Sequence, residues 1–282
     1  MNGQEILSVA QMYAADAAAI AEGRSGIWLM ENAAAAVVRA VIRQWTPRPT
    51  VVLCGPGNNG GDGFGVALGL ARARWPVRVA LLGALDDLVG DAAMMAARWT
   101  GDIAPLGPDV IAGQALVVDA LFGAGLARPV DGVAAATLDA VTAAGLDTLA
   151  IDVPSGVDGN TGEIRGTVAP ARRTVSFFRP KPAHVLSPGR RLCGAIEIAD
   201  IGIAASVAGE VGSVGRANGP RLWRDRFPSP RAGGHKYDRG HAVVAGGATM
   251  TGAAKLAAGA ALRAGAGLVT VAAPNEAIEI YA

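Results

Sequence analysis

Cysteine is nearly missing: Cys54 and Cys193 are the two in 282 residues, far apart and without a C-x-x-C spacing. That excludes a disulfide scaffold and a thiolate zinc site, and makes a reducing compartment the default. Lysine and histidine are scarce, three of each, and aromatic residues make up 5%. An excess of one charge is lacking too. With 25 Lys+Arg against 24 Asp+Glu the net charge is +1, so there is no basic field for counterion-driven nucleic-acid binding. The N-terminus has no basic n-region followed by an apolar stretch, so no signal peptide is expected. No apolar run reaches the ~18 residues that span a bilayer. The Ala-rich stretch 33–38 is closed by Arg39 and Arg43. These absences predict a soluble cytoplasmic protein that binds neither nucleic acid nor membrane.

What is present is an alternation of helical and strand periods. Residues 5–22 carry Ile6, Val9, Met12 and Tyr13 at helical spacing, and a second helix is expected from Gly26 to about Trp45, stopped by Pro47 and Pro49. Strands are expected at Thr50–Cys54, Val77–Leu82, Ala115–Val118, Thr148–Val153, Thr174–Phe178 and Ala195–Ala199. Between them, helices are expected at about Gly63–Arg74, Asp87–Trp99 and Ala134–Ala144. Continuously apolar strands alternating with helices predict an α/β fold, a doubly wound, Rossmann-like, mostly parallel sheet, over about 1–205. Residues 206–230, rich in Gly, Ser, Arg and Pro, read as a linker. From 231 a second α/β pattern opens with strand His241–Ala245, helix Thr251–Ala264 and strand Leu268–Val271. Two strands and one helix do not build a core, so the segment 231–282 is expected to be an incomplete unit with Leu256 and Leu262 exposed.

Three loops each follow an expected strand: Gly55–Gly63 (GPGNNGGDG), Asp119–Leu126 (DALFGAGL) and Asp152–Asp158 (DVPSGVD). In open parallel sheets, ligands bind outside the carboxyl ends of strands, so these loops are expected to converge on one pocket. Glycines let backbone N–H groups approach anionic oxygens, and a helix opening near Asp62 adds a positive N-terminus. Asn59, Asp119 and Ser155 offer oxygen alone, a set for a hard cation rather than zinc or copper. Taken singly, each loop is equally well an ordinary turn, Asp158-Gly159-Asn160 above all, and Ser155 is equally well an N-cap. Gly55, Gly57 and Gly60 match G-x-G-x-x-G, but Pro56 interrupts the fingerprint and the next strand ends in Ala80-Leu81-Leu82-Gly83 without a ribose acid. An NAD-dependent oxidoreductase is therefore disfavoured, as is a serine hydrolase, since no Gly-x-Ser-x-Gly surrounds Ser155.

The run Asn58–Gly63, together with Asp119-Ala120-Leu121-Phe122-Gly123 and Asp152-Val153-Pro154-Ser155-Gly156, resembles the NAD(P)H-hydrate epimerase family, the YjeF N-terminal domain. Met30-Glu31-Asn32-Ala33 and Phe178-Arg179-Pro180-Lys181-Pro182 are similar to two further motifs of that family, and the likeness covers about residues 5–205. From about Gly234 the chain is similar to the opening of an ADP-dependent NAD(P)H-hydrate dehydratase, with matches at His235-Lys236, Gly246-Gly247, Met250–Ala254 and Ala264–Thr270.

The resemblance implies interconversion of the R and S forms of hydrated NADH and NADPH (NADHX, NADPHX). It implies a potassium ion on Asn59, Asp119 and Ser155. The nucleotide site would take Asn58, Asn59, Gly60, Gly61, Asp62, then Gly123, Ala124, Gly125, Leu126, Ala127, Arg128 and Pro129, with Asp152. Asp152 and Lys181 would be catalytic, Asp152 as the carboxylate that protonates the leaving oxygen and later deprotonates water, with Lys181 as its electrostatic or proton-transfer partner. A homodimer is implied, and ADP or ATP with Mg2+ belongs to an intact dehydratase half alone. The alternative reading is a nucleotide-binding module without turnover.

Overall fold

Strands that are apolar at every position need cover on both faces, and the runs around the three loops become the centre of one sheet. The computed structural model describes residues 4–282, which divide into a compact unit ending at Asn218 and a second from Gly219 to Ala282. After a short strand β1 (Glu5–Ile6) come α1 (Val9–Ala21), α2 (Gly26–Gln44), β2 (Thr50–Cys54) and α3 (Asn58–Arg72). Then follow β3 (Val77–Leu81), α4 (Gly90–Ala96), β4 (Ile103–Pro105), β5 (Leu116–Ala120), α5 (Gly132–Ala143), β6 (Asp147–Ile151), β7 (Arg173–Phe177) and β8 (Ala195–Ala199). A seven-stranded sheet of order β4-β3-β2-β5-β6-β7-β8 results, parallel throughout.

Period-two alternation assigns the two faces. Val52, Cys54, Val79, Leu81, Val118, Ile151 and Val175 pack with apolar residues of α1 to α4, while Val51, Leu53, Ala80 and Val117 pack with Leu138 and Val141 of α5. The chain thus forms helix–sheet–helix layers, the doubly wound α/β architecture expected from the pattern. No single helix among the described residues is long and apolar enough to cross a membrane.

Several boundaries differ from the sequence reading. The first helix loses its expected start: Glu5–Ile6 pairs antiparallel with Gly215–Arg216 (β9), and Ser8 caps α1 in a capping box with Gln11. The third helix begins at Asn58, not near Gly63, so Asn58-Asn59-Gly60-Gly61 is its opening turn. Glycine in a helix costs about 1 kcal/mol against alanine, but here bare backbone allows close approach. A Cβ on Gly60 would lie inside the shell of the Gly55 carbonyl oxygen, and one on Gly63 would meet Ala120 and Cys54. The expected helix 87–99 shortens to α4 because a 3-10 turn at Leu85–Asp87 and a positive-φ Gly90 precede it. The three-residue edge strand β4 was too short and proline-ended to be recognised. Residues within 206–230 include a helical turn, Val207–Glu210, besides β9.

In the second unit, β10 (His241–Ala245) and β11 (Leu268–Ala272) pair in parallel around the helix Gly252–Ala264. Leu256 and Leu262 are exposed there, at 77% and 55%.

Candidate active site

The sheet order reverses between β2 and β5, and the loops leaving these two strands diverge to open a crevice at their carboxyl ends. The Gly55 N–H donates to the Ala120 carbonyl (3.0 Å), and a Cβ on Gly55 would strike the Leu121 carbonyl, so the two loops start in backbone contact. The cleft above them has a volume of about 580 Å³. Its walls are Tyr13 and Asp16 of α1, Met30 of α2, Asn58, Asn59 and Asp62 of α3, the 121–128 loop, Asp152 and Lys181. Gly57 caps α3 without a side-chain bond, so the helix presents first-turn N–H groups to anionic oxygens.

Asp152 follows the last residue of β6 and is held at φ 68, a left-handed conformation that non-glycine residues rarely adopt. Its N–H donates to the Val175 carbonyl (2.8 Å), which anchors the turn to the neighbouring strand. The same device ends β7, where Phe178 sits at φ 59 and redirects the chain towards Lys181. Lys181 Nζ donates to Asp152 Oδ1 (2.7 Å) and to Ser176 Oγ (2.9 Å), while Ser176 Oγ donates to the same Oδ1 (2.9 Å). The other oxygen, Oδ2, accepts from the Ala124 N–H at 2.8 Å. Burial alone would push the Asp152 carboxyl up, but the Lys181 charge and hydrogen bond, helped by the Ala124 N–H, bring it down to about 2. Asp152 is therefore ionised.

His184 sits under this pair. Its Nδ1 accepts the Lys181 main-chain N–H (2.9 Å), which leaves Nε2–H to donate to the Asp152 carbonyl (2.8 Å). Burial, then the Lys181 charge, lowers the imidazole to about 4, so the ring is neutral.

Deeper in the sheet, Asp119 and Ser155 form one cluster. Ser155 Oγ donates to Asp119 Oδ1 (2.6 Å), the Ser155 N–H donates to Oδ2 (2.8 Å), and the Phe122 N–H donates to Ser155 Oγ (2.9 Å). Both residues are fully buried. Burial pushes the Asp119 carboxyl up against these hydrogen bonds, and among the described residues it has no ion-pair partner. Asn59 Nδ2 is buried without a hydrogen-bond partner, and Asn59 Oδ1 faces Gly123, as Asp152 Oδ2 does. This all-oxygen set with a single buried negative charge fits a monovalent hard cation, and among the described residues no cluster of three His, Cys, Asp or Glu suits a transition metal.

Asn58, Asn59, Asp62, Gly123, Ala124, Gly125, Leu126, Ala127, Arg128, Asp152 and Lys181 all reach the cleft wall. Gly60 and Gly61 lie instead inside α3's packing, against the Gly55 carbonyl and Met30, while Pro129 is exposed beyond the wall. Asp119 and Ser155 lie behind the wall. Sequence reasoning missed Tyr13, Asp16, Ser176 and His184. Only the Lys181-x-x-His184 spacing carried a local signal, that of a side chain turning back onto a short helix start. Asp158 is an Asx turn, accepting from the Asn160 and Thr161 N–H groups, and Asn160 Oδ1 in turn accepts the Val9 N–H at 2.9 Å and fixes the start of α1. Burial raises Asp62 well above the ordinary carboxylate range, with Asp152 and Asp16 adding to it.

Residues 27–183 match the family model described as YjeF-related protein N-terminus. The chain is similar to the NAD(P)H-hydrate epimerase of Rhodobacter capsulatus, 46% identical over 195 residues, covering 64% of this chain and 91% of the relative. It is also similar to the NAD(P)H-hydrate epimerase of Achromobacter xylosoxidans, 40% identical with 71% and 97% covered. With the bifunctional NAD(P)H-hydrate repair enzyme Nnr of Moorella thermoacetica it is 37% identical over 240 residues, but spans only 44% of that relative's length. The crystal structure of the yeast protein ynu0, YNL200c, shares the fold at TM-score 0.61 and 20% identity, covering 76% of this chain and 96% of that one.

Proposed function

The chain belongs to the YjeF-related protein N-terminus family, and from that premise we propose that its first unit is an NAD(P)H-hydrate epimerase, interconverting the R and S forms of hydrated NADH or NADPH. One observation carries the reading: an ionised, hydrogen-bonded Asp152 paired with Lys181 faces a nucleotide-sized cleft at the strand-order reversal.

Epimerisation needs the ring C–O bond to break as the ring nitrogen's lone pair assists, with the hydroxyl leaving as water. Water then adds to the other face and loses a proton. Asp152, ionised and pinned by Lys181, Ser176 and Ala124, is suited to take that proton rather than to donate one at the start. Of the two roles expected for Asp152, this reading keeps the second, deprotonation of the incoming water. Lys181 has three N–H donors and uses two on Asp152 and Ser176, so one remains for the substrate. The N-terminal turn of α3 and the N–H groups of Gly123, Gly125, Ala127 and Arg128, which the Ala124 and Leu126 bonds leave over, would hold the phosphates.

Asn59, Asp119 and Ser155 are the residues proposed to hold potassium. The bound cation would supply the positive charge that the buried Asp119 lacks, stiffening the junction between the β5 and β6 loops. The dimer and cytoplasmic location are carried from the resemblance, and residues 231–282 are proposed as the opening of an ADP-dependent dehydratase half. No dehydration step is assigned to these residues.

The test follows one purified epimer of hydrated NADH by chromatography with the full chain and potassium. Rapid approach to an R/S mixture supports the reading. Binding without acceleration favours the nucleotide-binding module instead.

A further inference from the structure

Departure of the hydroxyl requires a proton donor, and Asp152, ionised in the resting cleft, is not one at the start. Burial raises two further carboxyls that line the cleft, Asp62 near the start of α3 and Asp16 on α1; Asp62 lies beside the turn offered to the phosphates. Asp16 is different in three respects. It is carried by α1, an element separate from the strand ends that bear Asp152 and Lys181, and α1 lies outside the residues 27–183 that match the family model. Its carboxyl lines the same cleft. It forms no hydrogen bond or ion pair with any described residue, whereas the Asp152 carboxylate accepts three hydrogen bonds, one of them also its ion pair with Lys181. The helix that carries it is fixed at its start by the Ser8–Gln11 capping box and by Asn160, so the carboxyl is positioned rather than trailing.

The chemistry asks for two acid–base groups. R and S differ in the ring face that bears oxygen, so one group protonates the leaving hydroxyl and another receives the proton of the incoming water. Resting on the epimerase reading, we propose that Asp16 is the second acid–base residue of this reaction, sharing one proton with Asp152. In one direction the C–O bond breaks with its electron pair on oxygen and Asp16 gives that oxygen its proton, releasing water. Water then adds to the ring carbon and passes a proton to Asp152. The reverse direction uses the same single proton from Asp152, and exchange through cleft water resets the pair, so protons balance. The charged or titratable side chains facing this space are Tyr13, Asp62, Asp91, Arg128, Asp152 and Lys181. Burial raises the Asp16 carboxyl to about 6, with Lys181 lowering it and Asp152 raising it, which leaves it close to the operating range of a general acid.

The test compares wild type with Asp16→Asn and Asp16→Glu in R-to-S epimerisation from pH 4.5 to 8.5. Wild type is expected to lose activity with an alkaline limb near 6. Asp16→Asn is expected to lower kcat by about 10²-fold or more, with KM changed less than about threefold and the limb abolished, while Asp16→Glu recovers part of the rate. A ¹³C-carboxyl titration of Asp16 in wild type, independent of activity, is expected to report a raised midpoint. Wild-type kcat with an intact limb in Asp16→Asn, or an ordinary carboxyl midpoint for Asp16, overturns the proposal. If wild type itself does not epimerise, the epimerase reading has failed. If wild type epimerises and Asp16→Asn does so equally fast, only the Asp16 assignment has.

Discussion

The imidazole of His184 donates from Nε2 to the carbonyl of Asp152 at 2.8 Å, while its Nδ1 accepts the main-chain N–H of Lys181. One neutral ring thereby fixes the backbone of both members of the ion pair, including the left-handed turn at Asp152. Burial first, and then the Lys181 ammonium beside it, depresses the pKa of the ring, and a protonated ring would also have no lone pair for the Lys181 N–H.

A pH dependence of stability follows. His184 titrates near 4 in the fold against 6.5 in an open chain, so the unfolded state binds more protons between those values. Its contribution is full above the higher value and is lost as pH falls through that window, up to about 3 kcal/mol. Urea midpoints of wild type and His184→Gln measured at pH 7.5 and 4.5 should converge on acidification. A gap that widens at low pH contradicts this.

Lys181 is only 4% exposed in its side chain, and its removal strands a buried carboxylate. Lys181→Met is expected to cost about 3–5 kcal/mol at pH 7 and to raise the Asp152 carboxyl above its present position. Asp152→Asn, which leaves an amide able to accept from Lys181, should cost less. Lys181→Arg should not restore activity, because a planar fork does not reproduce a point ammonium shared between Asp152 and Ser176. Thermal melts with epimerase rates for all three variants decide it, and a Lys181→Met protein as stable as wild type would sink the account.

Local pattern made some parts of the fold and site legible and hid others. Thr50–Cys54 stood out because a continuous apolar run between turn residues marks a buried parallel strand, and Ala195–Ala199, broken by Glu197, was legible as a short strand and lies at the sheet edge. Asp152 and Lys181 were legible through motif resemblance, though their 2.7 Å contact spans 29 positions and no periodicity encodes it. The start of α3 was misread because helix propensity argues against Asn58-Asn59-Gly60-Gly61, whereas close packing on Gly55 and Met30 requires those glycines. Asp16 escaped notice because an Ala-rich helix gives one aspartate no context until the cleft is assembled.

Potassium should act on stability as well as rate. Buried Asp119 has hydrogen bonds but, among the described residues, no counter-charge, so a cation that binds only the folded state raises the melting temperature with the logarithm of its concentration above its Kd. Exchanging potassium for N-methylglucammonium at constant ionic strength should lower the wild-type Tm, with little change in Asp119→Asn. Equal melting in both salts would remove the cation from Asn59, Asp119 and Ser155.

Asp16 also makes a prediction of opposite sign to that of His184. Its carboxyl titrates near 6 in the fold against 3.8 in an open chain, so the folded state holds the extra proton between those values. Its contribution is therefore unfavourable once ionised: stability falls as pH rises through the window and stays reduced above it. Allowing for solvent screening of a half-buried group, the cost at neutral pH is about 1–2 kcal/mol. Asp16→Asn removes the charge at nearly constant shape, so at pH 7.5 the variant should melt higher than wild type while epimerising slowly, and at pH 3.5 the two should melt alike. A residue retained for structure alone would lose stability on this substitution at pH 7.5. A gain in stability with a loss of rate is the signature of a carboxyl kept in the cleft for its proton.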